Sequence, residues 1–472
     1  MKSRKDQVQA YFFVVGRLAA AVTHGKPDVL ESPTKRMTTG TVLGFVLAAV
    51  IMGVFGIIGM FAPPSGDSSW RAEGAIVMDK TSGARYVYLG GQLRPVLNYS
   101  SARLVAGTGT LTSVAPGSLA GTTIGQPIGI PGAPDSLPEQ GKVNVGPWTV
   151  CTQPPETAAG KAAVTLLLGL PAGNELTDGQ ALIVSEPGGK AYLLAQGKRF
   201  WVPGRPVLAA LGYGTVSPVP VAASWLNTIP QGADLSAPVI RGVGDPGPVI
   251  DGRQSLVGQI FQVRNTAINT EQIYVVRKDG LAVLSRTGAA LLLAAPSTQQ
   301  AYPGAPVESI QVGPGALTGL LITASAGLAN DLPSVPPEIV TPPAGTQPCL
   351  RHDPARSGEM GPVTELLPGN QVVGTSVPLG AHPAGTMVDR IAVPAGGGLL
   401  ARNLPAPGAQ AGAVYLITDV GTKYPLADPD AVTALGYTEA AAIPVSARLL
   451  NLLPTGPVLS TVAARQTQAV KP

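Results

Sequence analysis

Histidine is almost missing from this 472-residue chain: only His24, His352 and His382 occur, far apart in sequence. Cysteine is scarcer still, with Cys151 and Cys349 alone. No Cys-x-x-Cys or His-Glu-x-x-His spacing exists, and His352 near Cys349 lacks enough companions, so no metal set is legible. A nucleotide phosphate loop is absent too. The lysines of HGKP, QGKV, AGKA, GGKA and QGKR are never followed by Ser or Thr. No G-x-S-x-G elbow is present to make a serine nucleophile of any residue beside His352 and Asp353 or His382. Paired carboxylates for sugar hydrolysis come together only in a fold, so the acids present point to none. Catalytic residues, cofactors and metals are therefore expected to be none. Charged residues are only 13% of the chain and the signs nearly balance, which removes the electrostatic footprint of a nucleic-acid binder.

Apolar sequence is plentiful, and one stretch has no charge at all: Thr41 to Ala62, TVLGFVLAAVIMGVFGIIGMFA. At about 1.5 Å of rise per residue it reaches roughly 33 Å, enough to cross a bilayer core. Gly44 and Ala48, then Ala49 and Gly53, are four apart, a spacing that lets another membrane helix approach closely. Residues 1–40 hold seven Lys or Arg against three acids, which is the whole net charge of +4. The positive-inside tendency then puts the N-terminus in the cytoplasm and the remainder outside. A cleaved signal would have a shorter apolar core and a shorter basic lead. Ahead of the span, residues 7–24 place Tyr11, Phe12, Val15 and Leu18 on one side of a helix with Arg17 and other bases around it. Such a helix lies on the inner leaflet or docks on a cytoplasmic partner. Residues 25–40 read as a polar connector broken by Pro27 and Pro33.

Both cysteines fall on the outer side, where an even pair is most simply a disulfide. Beyond the span, repetition is the main signal. Gly197 to Gly232 and Gly421 to Gly456 align without a gap: Leu211, Gly212, Tyr213 and Asn227 fall on Leu435, Gly436, Tyr437 and Asn451. Each copy reads as a hairpin, a short helix opened by proline and closed by glycine, and a second short helix. Weaker copies begin near residues 75 and 258, and the two insertions between copies each carry one cysteine.

The resulting expectation is an α+β, mainly β, single-pass membrane protein with an elongated outer part. Its divisions are a cytoplasmic helix and connector (1–40), a transmembrane helix (41–62), a linker (63–74), repeat one (75–136), a first piece of a central β domain (137–181), repeat two (182–257), repeat three (258–315), a second central piece (316–396), repeat four (397–460) and a frayed tail (461–472). Val164–Leu170, Ala316–Ala324 and Arg390–Val393 are expected strands of the central domain. Gly-rich Pro394–Arg402 reads as a turn.

QVQAYFFVVGRL before the anchor, RYVYLGGQLRPVLNYSSARLV (Arg85 to Val105), GQPIGIPGAP (Gly125 to Pro134), Trp148-Thr-Val-Cys151 and the late Cys349 together resemble the EccB family. These proteins are the single-pass core components of the type VII (ESX) secretion systems of mycobacteria and their relatives. The resemblance implies four periplasmic repeats around a disulfide-linked central β domain. It also implies an inner-membrane complex with EccC, EccD, EccE and further copies of itself, in which EccC is the motor. Such proteins often carry the label ATPase, which no motif in this sequence supports. Their repeats distantly resemble cell-wall-binding modules, so peptidoglycan is a secondary expected partner. The alternatives to a secretion scaffold are thus a membrane-anchored peptidoglycan binder and an ATPase subunit.

Overall fold

The computed structural model describes residues 4–25, 33–61 and 69–468, apart from 108, 110, 145, 156–159, 170–172, 324–327, 329–330, 354–360, 381–386, 407–408 and 411. Two compact units emerge: residues 1–72 with 77–84 and 112–122, and the remainder. In the first unit, α1 (Arg4–His24) and α2 (Pro33–Phe61) are the long helices. Within α2, Met37–Ile57 is long and apolar enough to span a membrane, and none of it is buried by the chain. This helix begins eight residues before the expected span. Pro33 opens it rather than breaking a connector, because the first helical position needs no backbone N–H donor. Elsewhere in the unit Trp70 is buried, and Lys80 N–H donates to Val114 O.

The second unit is built on recurring sheets. Gln180–Ser185, Ala191–Ala195 and Lys198–Val202 form an antiparallel meander. Ile260–Asn265, Thr270–Arg277 and Gly280–Leu284 repeat it, as do Gly398–Leu404, Val414–Thr418 and Lys423–Pro425. A helix follows each meander, and the chain then returns parallel to the first strand, as in Val219↔Val184, Ile310↔Phe261 and Ile443↔Ala401. It next runs parallel to the third strand, at Gln231↔Arg199, Ile322↔Leu281 and Thr455↔Lys423. The Arg85–Leu89 and Gln92–Pro95 hairpin has the same sequel at Ile124↔Leu93. The expected apolar strand Ala316–Ala324 is corrected here. Its described part joins the third meander through Ile322–Thr323, after a 3-10 turn at Pro314–Leu317. A run of apolar residues signals burial without saying in which sheet.

Among the described residues, the central sheet has seven strands, ordered Val377–Pro378, Arg390–Ala392, Ala163–Leu168, Trp148–Gln153, Thr346–His352, Val363–Pro368 and Asn174–Glu175. One of its faces meets Leu182 and Val184 from the second meander and Leu399 and Ala401 from the fourth, around Trp148 and Trp225. The tail is a further correction. Thr461–Ala464 is a helix capped by Ser460 that packs on the Tyr99–Ala106 helix, and Gln468 donates to Pro127 O and Gly129 O. Of the expected tail, only residues 469–472 lie outside the described part. Buried Ala464 gives this end an apolar anchor that its polar flanks conceal.

Candidate functional site

The chemistry-bearing residues gather at the middle of the central sheet. Cys151 and Cys349 face each other in register on adjacent antiparallel strands and are joined by a disulfide. Strand pairing extends that row, with Thr165 opposite Cys151 and Glu365 opposite Cys349. Side chains of directly opposed residues share a face, so the disulfide sits between a hydroxyl and a carboxyl. Leu167, Leu367, Val372 and Ala392 close over it, and both cysteines have 0% exposure.

Glu365 is wholly buried, and burial pushes its carboxyl pKa up, against the pull of the Gly173 N–H and the Arg351 guanidinium. Gly173 N–H donates to its Oε2 at 2.9 Å, and Arg351 Nε stands 3.5 Å from the same oxygen. Arg351 also pairs with Glu175, next to the segment that leads into the second meander. The Thr149 hydroxyl adds a further pull on the Glu365 carboxyl, and Oγ1 of Thr165 is enclosed without a hydrogen-bond partner. On the opposite sheet face, burial drives the His352 pKa down to about 3, and its Nε2 is enclosed without a partner. His352 is thus neutral, and Trp148 lies opposite it. Among the described residues, no three His, Cys, Asp or Glu stand together to hold a metal.

The aligned positions of the second and fourth repeats do the same physical work. Gly212 and Gly436 adopt φ of 83° and 93° just past the helices Arg205–Ala210 and Pro429–Ala434. Tyr213 and Tyr437 then return N–H bonds to Leu208 O and Val432 O, closing each helix with a Schellman motif. Leu211 and Leu435 are buried beneath these turns. Each tyrosine hydroxyl donates to a backbone carbonyl 2.6 Å away, Tyr213 to Pro337 O and Tyr437 to Pro138 O. Those prolines precede the two cysteine strands. The Pro138 segment adds to the fourth meander at Val143↔Gly398, and the Pro337 segment adds to the second at Glu338↔Gln180. Helices cross over likewise: Tyr99–Ala106 packs on Pro429–Ala434, and Arg205–Ala210 on Arg286–Leu293. Each half of the chain therefore completes the other around the disulfide.

A base reinforces each of these repeats, half-buried in the second and buried in the fourth. Arg199 Nη1 donates to Leu226 O and to Asn227 Oδ1, at 3.1 and 2.9 Å. Lys423 Nζ donates to Leu450 O and Leu453 O, at 2.6 and 2.8 Å, and burial lowers the pKa of both bases. Asn227 and Asn451 occupy the same C-cap positions of Ala223–Leu226 and Ala447–Leu450. The sequence alignment contains Arg199 and Lys423 at equivalent places, but a base in a hairpin reads as solvated until its carbonyl partners are known.

The expected membrane residues are all exposed. An added Cβ at Gly44 or Gly53 would meet nothing within 4 Å. Five residues separate Gly44 from Ala49, about 140° around a helix, so the two small pairs form two stripes rather than one. Tyr11, Phe12 and Leu18 of α1 are exposed by 66%, 68% and 60%, Val15 is also exposed, and Arg17 lies 5.8 Å above the Phe13 ring.

Residues 2–472 match the family model described as type VII secretion system ESX-1, transport TM domain B. The chain belongs to the EccB family. An EccB3 of Mycolicibacterium smegmatis (strain ATCC 700084 / mc(2)155), named an ESX-3 secretion system ATPase, is 30% identical over 97% of this chain and 89% of its own length. An EccB1 of M. smegmatis (strain MKD8), named an ESX-1 secretion system ATPase, is 28% identical over 98% and 94%. Among solved structures, the EccB3 dimer from the ESX-3 core complex aligns with TM-score 0.70 and 27% identity, covering 83% of this chain and all of that one. The periplasmic assembly from the ESX-5 inner membrane complex aligns with TM-score 0.67 and 25% identity, covering 87% and 99%. The disulfide-centred sheet and its meanders therefore lie within an EccB fold.

Proposed function

We propose that this EccB-family chain is a structural subunit of a type VII secretion complex in the inner membrane, supporting the export of small helical proteins. The observation that carries this reading is the extent of the likeness, which takes in the bare α2 helix and the outer body alike. Seven bases before the span favour a cytoplasmic N-terminus and a periplasmic body. The exposed aromatic stripe of α1 then docks at the inner membrane face, and the two small-residue stripes of α2 receive helices of other subunits. Four repeats around a central domain, with repeat three carried on to Thr323, are the units of the outer body. Locked by the buried disulfide and by carbonyl-bound bases, this body is suited to bearing load between partners.

Affinity-tagged full-length chain, recovered from mildly solubilised membranes, is expected to bring EccC, EccD and EccE with it. A lone monomer refutes the scaffold and favours a solitary wall binder. Nucleotide hydrolysis that persists in the purified chain after deletion of the motor subunit refutes a purely structural role.

A further inference from the structure

One face of the central sheet carries the bridge together with an acid whose burial costs stability. Side chains alternate along a strand, so Thr149 and Cys151, Thr165, Cys349 and Arg351, and Glu365 all point to the same side. Glu365 is directly opposite Cys349, a placement that leaves about 5 Å between the Cβ atoms. Arg351 Nε, 3.5 Å from Oε2, and the pull of the Thr149 hydroxyl hold the carboxyl toward the strand that carries Cys349. The charged neighbours on this face are themselves engaged. Glu175, opposite Glu365, pairs with Arg351, and Arg390, opposite Thr165, donates to Ser376 Oγ and Val373 O. The covering helix, Gly369–Thr375, has no charged residue. A glutamine of the same shape would still accept from Gly173 and would spare the cost of burying an acid. A group that lowers stability in this way is typical of residues that serve chemistry.

We propose that Glu365 is the general base that closes the Cys151–Cys349 bridge. Only a thiolate attacks a disulfide, and an unperturbed thiol is about 3% ionised at pH 7. Enclosure among Leu167, Leu367 and Val372 lowers that share further. In a chain still reduced, a disulfide-bearing oxidant, R–S–S–R, first exchanges with Cys151, releasing one thiolate, RS⁻, and leaving Cys151 Sγ bonded to S–R. As the strands pair, the Glu365 carboxylate takes the proton of the Cys349 thiol. Cys349 Sγ then attacks Cys151 Sγ: the new S–S bond forms, the bond to S–R breaks, and a second RS⁻ departs with the electron pair. The two cysteine sulfurs are oxidised and the two R sulfurs reduced. Glu365 is left as a neutral acid, the form that burial favours. This role goes beyond the assembly reading and needs no other subunit, so failure of either leaves the other standing.

The test uses full-length chain, reduced in denaturant, returned to detergent, mixed with oxidised glutathione and sampled into excess N-ethylmaleimide. Mass separates reduced, singly glutathionylated and closed chains, and decay of the singly glutathionylated form is the closing step. At pH 7, Glu365→Gln is expected to close at least about tenfold more slowly than the parent. The variant's rate is expected to climb about tenfold per pH unit toward about 8.5, following free thiol ionisation, while the parent's profile is flatter and the two curves meet near about pH 9. The oxidised variant is expected to unfold at or above the parent's midpoint, which separates slow chemistry from poor folding. Equal closing rates at pH 7 overturn the proposal. So do curves that stay parallel up to about pH 9, or a lower midpoint for the variant, since the acid would then be structural.

Discussion

Reduction of the Cys151–Cys349 bridge is expected to require opening of the central sheet. Strands flank both cysteines, and Val372 from the Gly369–Thr375 helix helps to cover them, leaving no exposed surface on either residue. A thiol reductant must reach a sulfur directly, so it acts only on molecules whose sheet has opened. An opening cost of about 5 kcal/mol lowers the rate roughly a thousand- to ten-thousandfold relative to the unfolded chain. The bridge spans 198 residues, and in the chain-entropy model its loss costs on the order of 5 kcal/mol, an upper figure. With only two cysteines in the sequence, maleimide tags counted by mass read zero or two. The expected result is zero tags after hours of millimolar dithiothreitol in native buffer and two within minutes in denaturant. Two tags at the same rate in both would refute the account of a sealed bridge.

Three further perturbations follow from the geometry. Lys423→Met strands two buried carbonyls and is expected to cost about 2–3 kcal/mol in denaturant unfolding, whereas Lys423→Arg, imitating Arg199, costs less. His352 and Glu365 give opposite pH slopes. His352 is held neutral to about pH 3, so its contribution is lost as pH falls below 6.5, by up to about 2 kcal/mol between 6.5 and 5, and His352→Gln flattens that decline. The raised Glu365 pKa favours folding below about pH 4.5 and loses that contribution as pH rises, so Glu365→Gln is expected to stabilise the protein at neutral pH in thermal unfolding while still accepting from Gly173. Gly53→Leu disturbs nothing within the chain and is expected to lower the yield of assembled complex; an undiminished yield makes α2 a plain tether.

What the sequence disclosed was local chemistry. Leu211-Gly212-Tyr213 and Leu435-Gly436-Tyr437 were visible because a helix stop needs a glycine at fixed spacing from what it covers. Gly232 and Gly456 recur for a similar reason, since a Cβ at either would strike the ring of Phe200 or Tyr424. Long-range partnership was not visible. Glu365, Arg351, Gly173 and Glu175 come from separate segments, and only strand pairing brings them to one place. The apolar neighbours of Ile322 suggest a central strand, although its partner Leu281 lies 41 residues earlier in the third meander. The docking of Gln468 on Pro127 and Gly129 was likewise hidden by a polar tail sequence.

The exchange of segments between the two halves also sets an order of events. Val143 and Asn144 find their places on Gly398 and Leu400, residues synthesised some 250 positions later. Tyr437 reaches Pro138 across a comparable distance, and Thr467 pairs with Ile128 across a longer one. Such contacts form only once the last meander has emerged, so folding of this body has a high contact order and closes late. A truncated chain would leave the first repeat's outgoing strand without its sheet, exposing unpaired backbone that invites aggregation or proteolysis. The fold thus carries its own check on completeness: the surfaces that join the two halves exist only when the whole chain has been delivered.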